Sequence, residues 1–209
     1  MFKKYKIIFW DFDGVIKDSV FVKTKAYLNL FPSLSTDLRE KIEKHHLRFG
    51  GISRMTKIPL YLEWVGLPTD EFTVKSYCEK FSELVLDAVI NSTWIDGVQE
   101  VLDSKAMDQI YVLVTGTPQD EIEVILKELK LIEKFDYIFG SPAEKSKAIE
   151  SVLLERSFPR YECLMIGDSQ TDYEAAKIVG IDFLLRTDND DSFGKSFNGR
   201  KIKDFKEFI

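Results

Sequence analysis

The chain has 209 residues, of which 44% are hydrophobic and 31% are charged, and its formal net charge is −6. This balance is typical of a globular protein that buries a full core, with room for a second small lobe. The charges are interspersed and form no basic block, which argues against nucleic acid as the principal partner.

Neither secretion nor membrane insertion is expected. The apolar run near the N-terminus ends at Asp11, which makes it too short for a signal sequence. No segment approaches the roughly 20 apolar residues of a membrane span. The two cysteines, Cys78 and Cys163, are expected to be reduced and buried. These features predict a soluble, cytoplasmic protein without a membrane partner.

Five short apolar runs predict buried β-strands, and helical periodicity lies between the last four of them. Apolar strands that alternate with amphipathic helices are typical of a parallel sheet covered on both faces, so we predict an α/β fold. The predicted strands are residues 5–10, 110–114, 135–139, 163–166 and 183–185, and the predicted helices between them include 121–131 and 147–154.

The first interval breaks this alternation, because the residues between Asp13 and Trp94 contain no convincing strand. Residues 73–90 carry apolar side chains at helical spacing, and residues 37–49 do so more weakly. We therefore predict a small helical lobe inserted after the first strand. Residues 45–59 are expected to form a loop between its helices.

Asp11 and Asp13 follow the first predicted strand, two residues apart. Side chains at positions i and i+2 of an extended segment point to the same side, so both carboxylates are expected at the carboxyl end of this strand. Ligands bind at that edge of an open α/β sheet. Taken alone, two aspartates before Gly14 also fit a simple turn.

A second acidic pair, Asp168 and Asp172, follows the apolar run at 163–166. Asp168 or Ser169 can cap the following helix, but several carboxylates at one sheet edge repel one another unless a cation neutralises them. An oxygen-rich site of this kind suits Mg²⁺, which usually keeps some waters and a substrate phosphate. The sequence therefore predicts a Mg²⁺ site.

Residues that could bind an anion follow two other predicted strands. Thr115 and Gly116 offer a hydroxyl and backbone N–H groups near a helix start. Thr117 and Pro118 are expected to be the N-cap and first residue of that helix. Lys145 lies between an apolar run and a helical segment, where an isolated lysine would be expected at the surface, but its placement at the same sheet edge favours a functional role.

Four ordered motifs resemble the signature of the haloacid dehalogenase superfamily: DFDGV at 11–15, Thr115, Lys145, and GDSQTD at 167–172. The resemblance implies a Rossmann-like parallel sheet with strand order 5-4-1-2-3 and a mobile helical cap. It further implies a catalytic core formed by residues 1–16 and 91–209, with the cap at 17–90. The position of the cap resembles the phosphoglycolate phosphatase and β-phosphoglucomutase branch.

The resemblance also implies roles for the first two acids. The Asp11 carboxylate would attack the phosphorus of a phosphate monoester and form an aspartyl phosphate. Asp13 would protonate the leaving alcohol and then take a proton from the attacking water. Within this superfamily, an aspartate at position 13 favours phosphatase or phosphomutase chemistry over dehalogenation.

The other motif residues would neutralise charge. Mg²⁺ would be held by Asp11, the backbone carbonyl of Asp13 and Asp168, with Asp172 ligating or orienting nearby. A second group of motif residues would contact the phosphoryl oxygens, namely Lys145, Thr115 and Gly116.

The cap is expected to choose the substrate. Between residues 45 and 59, His46, Gly51 and Arg54 are candidates to meet the polar end of the substrate, although a solvated turn between helices explains each of them equally well. Neither histidine of the chain is expected to be a metal ligand or a catalytic base.

These expectations favour a Mg²⁺-dependent phosphatase that acts on a small phosphorylated metabolite, of the sugar phosphate or phosphoglycolate type, as a monomer or homodimer. One alternative is a phosphomutase of the β-phosphoglucomutase type. Another is a non-catalytic phosphate-binding or regulatory module such as a receiver domain. A receiver would be shorter, however, and would lack both the helical insert and an acid at the position of Asp13.

Overall fold

The computed structural model describes residues 2–188 and 192–209. Its centre is a six-stranded sheet in which all neighbouring strands are parallel. The strands are β1 (Ile7–Trp10), β2 (Ile110–Pro118), β3 (Tyr137–Ser141), β4 (Cys163–Gly167), β5 (Asp182–Arg186) and β6 (Lys201–Ile202).

The strand order is β3-β2-β1-β4-β5-β6. Read from the opposite edge, it contains the expected order 5-4-1-2-3, and the unpredicted strand β6 extends the sheet beyond β5. The predicted α/β class is confirmed. The first strand lies between β2 and β4, so both of its edges are paired, and its carboxyl end meets the ends of those two strands.

The α-helices of the described residues fall into three groups along the chain. Five lie between β1 and β2, and the last of these is short. Three connect the following strands, and one lies near the C-terminus. They are α1 (Val20–Asn29), α2 (Thr36–Arg48), α3 (Arg54–Val65), α4 (Glu71–Ile90), α5 (Val98–Asp103), α6 (Gln119–Glu128), α7 (Lys145–Arg156), α8 (Gln170–Val179) and α9 (Ser192–Ser196).

Alternate residues of β1 pack on opposite faces of the sheet. Ile7 and Phe9 pack in a cluster with α7 and α8, while Ile8 and Trp10 pack in a second cluster with α5 and α6. All four side chains are completely buried. Burial on both faces explains why the strands appear in the sequence as continuous apolar runs rather than alternating ones.

Helices α1 to α4 pack against one another around aromatic side chains. The ring of Tyr27 lies 4.1 Å from that of Phe81 and 5.2 Å from that of Tyr61, measured between centroids. These rings belong to the same apolar cluster as Trp10 of the sheet. The predicted helical insertion is present, but it contains four helices where the sequence indicated two.

Several local predictions are wrong. Residues 45–59 are not one loop, because α2 continues to Arg48 and α3 begins at Arg54. Thr117 is not an N-cap, because β2 continues to Pro118 and α6 begins one residue later.

The polar segment 187–199 contains helix α9, and its residues 189–191 lie outside the described residues. The prediction for the cysteines is confirmed, since Cys78 and Cys163 are both free and buried. Among the described residues, no helix has the length and apolar character needed to cross a membrane.

Candidate active site

The acidic residues meet at the carboxyl ends of β1 and β4. These strands pair in register, with Trp10 opposite Ile166, and the backbone N–H of Asp11 donates to the carbonyl of Ile166 at 2.9 Å. As a result, Asp11, Asp168 and Asp172 each place one carboxylate oxygen within 4.8 Å of the other two. The side chains that the sequence predicted at one edge are therefore neighbours.

Close packing of the backbone allows this approach. Gly14 has φ +73°, and a Cβ atom there would lie 2.2 Å from Oδ2 of Asp168. A side chain at position 14 would therefore both strain the backbone and displace the carboxylate. The glycine of the DFDGV motif is needed for the geometry of the acidic cluster.

Lys145, the first residue of α7, is the cation of this cluster. Its ammonium nitrogen lies 3.1 Å from Oδ1 of Asp11 and 2.5 Å from Oδ1 of Asp172. The other oxygen of Asp172 accepts hydrogen bonds from the backbone N–H and the hydroxyl of Ser169, which cap α8. Asp172 is thereby held between α7 and the turn after β4, and its side chain is fully buried.

The charges of the cluster do not balance. Burial and the neighbouring Asp172 raise the pKa of Asp11 to about 7, although Lys145 works in the opposite direction. Burial and Asp11 also raise the pKa of Asp168 well above its ordinary value. Burial alone would lower the pKa of Lys145, but Asp11 and Asp172 raise it. One ammonium thus faces three carboxylates.

A divalent cation fits this donor set. The ligands on offer are carboxylate oxygens, which Mg²⁺ prefers in proteins. A cation would relieve the repulsion that raises the pKa of Asp11 and of Asp168.

Asp13 is not one of the three clustered acids, and each of its carboxylate oxygens accepts a hydrogen bond. Oδ1 accepts from the hydroxyl of Ser19 at 2.5 Å, and Oδ2 accepts from the ammonium of Lys23 on α1. Lys23 also donates to Oγ1 of Thr117 at 2.8 Å. Burial would raise the pKa of Asp13, but Lys23 and Ser19 together lower it. Asp13 is therefore held as a carboxylate next to Asp11.

The loop between α2 and α3 closes over these groups. A Cβ atom at Gly51 would lie 2.1 Å from Oγ1 of Thr171 and 3.2 Å from the ammonium of Lys145. A Cβ atom at Gly116 would lie 2.7 Å from the carbonyl oxygen of Gly51. The two glycines therefore let the loop pass directly above the end of β2. The buried side chain of Thr115 lies on the far side of this loop, in an open cleft of about 390 Å³ that Lys145 also lines.

Beneath the loop is a cavity of about 40 Å³. It is small enough that only a few non-hydrogen atoms fit beside the reacting group. Three groups of side chains line it. They are the acids Asp11, Asp13 and Asp168, the basic residues Lys23, His46, Arg54 and Lys57, and the apolar or aromatic residues Val20, Ile52, Tyr27 and Phe81.

The three residues predicted to meet the substrate, His46, Gly51 and Arg54, all line this cavity, but their contacts differ. His46 and Gly51 line it directly, and His46 stacks on Tyr27 with ring centroids 4.8 Å apart. Arg54 also lines it, but its guanidinium donates to both carboxylate oxygens of Glu121 and to the hydroxyl of Ser82.

The sequence did not point to two cavity residues, Lys23 and Thr117, and it placed Lys57 only within the 45–59 segment without a role. Lys23 gave no signal, because α1 was not predicted as a helix and a lysine is ordinarily a surface residue. Thr117 was expected at a helix cap. A long β2 would have placed its side chain beside that of Thr115 two residues earlier, on the same face of the strand.

The sequence of the chain matches that of a known protein family and of a known phosphatase. A model of the haloacid dehalogenase-like hydrolases matches residues 7–185. A phosphoglycolate phosphatase from Pseudomonas savastanoi pv. phaseolicola is 24% identical over 190 residues, which cover 84% of this chain and 67% of that protein.

Solved structures share the fold along nearly the whole chain. The β-phosphoglucomutase of Clostridium difficile has a TM-score of 0.75 and 17% identity, covering 98% of this chain and 93% of that one. A magnesium-bound hydrolase of the haloacid dehalogenase type from Bacillus subtilis has a TM-score of 0.71 and 20% identity, covering 98% and 96%. Since the family model matches most of its length, the chain belongs to the haloacid dehalogenase-like hydrolase family and is an enzyme.

Proposed function

We propose that this protein is a Mg²⁺-dependent phosphatase that hydrolyses a small phosphorylated metabolite through an aspartyl phosphate on Asp11. The observation that carries the proposal is the position of Asp11, which contacts Lys145 and shares a small covered cavity with Asp13. A nucleophile and a candidate acid–base group thus face the same space, and a cation contacts the nucleophile. The related phosphoglycolate phosphatase and the β-phosphoglucomutase neighbour support a phosphorylated substrate.

In the first step, a carboxylate oxygen of Asp11 attacks the phosphorus, and the bond from phosphorus to the leaving oxygen breaks. In the substrate complex the negative phosphoryl group beside Asp13 favours the protonated form of this side chain, and its proton goes to the leaving oxygen, so that an alcohol leaves. In the second step, Asp13 takes a proton from a water that attacks the phosphorus. Inorganic phosphate and the free Asp11 carboxylate result.

The surrounding residues prepare both steps. Lys145 holds the attacking carboxylate and offers positive charge to the phosphoryl oxygens. Ser19, Lys23 and Thr117 fix the Asp13 side chain next to the cavity. The hydroxyl of Thr115 and the backbone N–H of Gly116 are assigned to the transferring phosphoryl group.

Asp11, Asp168 and the backbone carbonyl of Asp13 would hold the Mg²⁺ ion, with Asp172 orienting Lys145 beside it. When bound, the ion supplies positive charge that lets an anionic carboxylate approach an anionic phosphoryl group.

We assign residues 1–16 and 91–209 to the catalytic core and residues 17–90 to a cap. The cap covers the cavity through the loop at Gly50 and Gly51 and contributes His46, Lys57 and Phe81 to its lining.

The test is phosphate release from a panel of phosphoglycolate, sugar phosphates, nucleotides and acetyl phosphate. Each is assayed with Mg²⁺, with EDTA and with the Asp11→Asn variant. Asp87→Asn, an exposed aspartate of α4, is the matched control. We expect turnover that requires Mg²⁺, is lost in Asp11→Asn and survives in Asp87→Asn. Absence of turnover across the panel, or turnover that survives in Asp11→Asn, would contradict the proposal.

A further inference from the structure

Lys57 is a buried lysine that forms no ion pair with any described residue. Its side chain lines the same cavity as Asp11, and the residue is 1% exposed. The ammonium nitrogen lies 2.9 Å from Nδ1 of His46 and 3.3 Å from the carbonyl oxygen of Gly50. Within residues 2–188 and 192–209, no carboxylate lies within 4.0 Å of it.

The other cations around the cavity are all neutralised. Lys23 is paired with Asp13. The guanidinium of Arg54 is paired with Glu121, and Lys145 is paired with Asp11 and Asp172. A buried ammonium without such a partner is costly for a protein. Accordingly, burial and the nearby Lys23 lower the pKa of Lys57 to about 7.

His46 contacts Lys57 and also lines this cavity. Burial and Lys57 lower the pKa of His46 well below its ordinary value, so the ring is neutral. Because Nδ1 faces the donor Lys57, the ring proton is on Nε2. This Nε2 is buried and makes no hydrogen bond of normal geometry with any described residue, although the backbone of Val20 lies close enough to act on the charge of the ring.

We propose that Lys57, supported by His46, binds an oxyanion carried by the leaving group of the substrate. This inference rests on the proposed phosphatase function and specifies its substrate class, which is a phosphate monoester with a second negatively charged group. The second group, a carboxylate or a further phosphate, provides the counter-ion that the protein does not.

The distance between the ammonium groups of Lys57 and Lys145 limits the length of such a substrate. Gly50 contacts Lys57 through its carbonyl, while the adjacent Gly51 lies against Lys145. The 3.3 Å contact at the Gly50 carbonyl, the 3.2 Å separation at the Cβ position of Gly51 and the peptide bond between them place the two ammonium groups at most roughly 11 Å apart. Together with a cavity of about 40 Å³, this favours a leaving group of two or three carbons.

Three matched compounds test the inference on the wild-type protein. They are 2-phosphoglycolate, ethylene glycol bisphosphate and 2-hydroxyethyl phosphate, which share a two-carbon leaving group and differ in its far end. We expect kcat/KM for at least one of the two charged compounds to exceed that for 2-hydroxyethyl phosphate by about 100-fold, the value of a charge-assisted hydrogen bond. Comparison of the first two identifies the oxyanion.

The Lys57→Met variant tests the residue itself. Methionine has a similar length and no charge, and its burial costs less than that of an unpaired ammonium, so the variant is expected to fold. The preference for the charged compound over 2-hydroxyethyl phosphate should collapse to a few-fold, chiefly through KM. Lys75→Met, an exposed lysine of α4, should keep the full preference.

The outcomes separate the inference from the proposed function. Equal kcat/KM for all three compounds in the wild type would overturn the inference and leave the phosphatase proposal intact. A preference that Lys57→Met retains would overturn the role of Lys57. Failure to release phosphate from these compounds and from the wider panel would overturn the proposed function and this inference with it.

Discussion

The guanidinium of Arg54 and the carboxylate of Glu121 form a two-point ion pair that joins the first turn of α3 to the first turn of α6. The nitrogen–oxygen distances are 2.7 and 2.5 Å, and both side chains are less than one-tenth exposed. Arg54 also donates to Ser82 of α4 at 2.6 Å. The pair therefore connects the helical insertion to the helix that follows β2.

Removing one partner of this pair should destabilise the protein. Arg54→Met leaves the Glu121 carboxylate buried without a counter-ion, and we expect the free energy of unfolding to fall by about 3 kcal/mol. The double variant Arg54→Met, Glu121→Gln should lose less than the sum of the two single variants. Urea denaturation at pH 7 measures all three.

The control for this prediction is Lys44→Met. Lys44 forms an exposed ion pair with Glu40 within α2, at 2.8 Å, and such pairs contribute little. We expect almost no change in the free energy of unfolding. Equal losses for Arg54→Met and Lys44→Met would show that the buried pair has no special role.

The loop over the cavity should be sensitive to a single methyl group. Gly51→Ala places a Cβ atom against Thr171 and Lys145, so the loop must move away from the reacting groups. A shift of about 1 Å at a reacting centre can cost about 100-fold in rate, and we expect a loss of that order in kcat/KM.

Gly50→Ala is the matched control, because among the described residues only the Ser169 side chain comes within 4 Å of its added Cβ atom, at an ordinary 3.7 Å. Steady-state kinetics on the same substrate compares the two variants. If both substitutions lower kcat/KM equally, close packing at position 51 is not what matters.

Stability without metal should depend on pH through Asp11. Burial raises the pKa of this carboxyl group to about 7, so the folded protein binds the proton more tightly than the unfolded chain. Protonated Asp11 therefore stabilises the folded protein below pH 4, and this stabilisation is lost as the pH rises to about 7. We expect the free energy of unfolding in EDTA to fall over this window by about 2–4 kcal/mol.

Asp11→Asn removes this titration, and its pH dependence between 4 and 7 should be correspondingly flatter. Addition of Mg²⁺ at pH 7 should stabilise the wild type more than the variant, because a ligand that binds only the folded state raises stability by mass action. A wild type and variant with the same slope in EDTA would contradict the assigned environment of Asp11.

The sheet and the acidic cluster could be predicted because each carries a local signal. Strands buried on both faces leave continuous apolar runs; β2, β4 and β5 each include the run predicted for them, and β1 covers the last four residues of its run. Parallel strands bring their carboxyl ends to one edge, so acids that follow separate runs become neighbours. For this reason Asp11 and Asp168 could be placed together without a structure.

Helices α1 and α3 could not be predicted in the same way. The buried face of α1 includes Lys23 and Thr24, and that of α3 includes Lys57. Hydrophobic periodicity detects only apolar buried faces, so a helix that directs charged groups into a cavity goes undetected. The partners that stabilise these groups, such as Asp13 for Lys23, are known only once the chain is folded.

The central claim is that Asp11 carries the phosphoryl group, and the most direct measurement is mass spectrometry of a trapped intermediate. The Asp13→Asn variant is mixed with Mg²⁺ and acetyl phosphate, whose acetate leaves without needing a proton, and the reaction is quenched in acid and digested. Asparagine cannot activate water, so the intermediate should accumulate. We predict one phosphoryl group on the peptide that contains Asp11, and none in the double variant Asp11→Asn, Asp13→Asn. A phosphoryl group on another residue, or acetyl phosphate consumed without any covalent intermediate, would contradict the account.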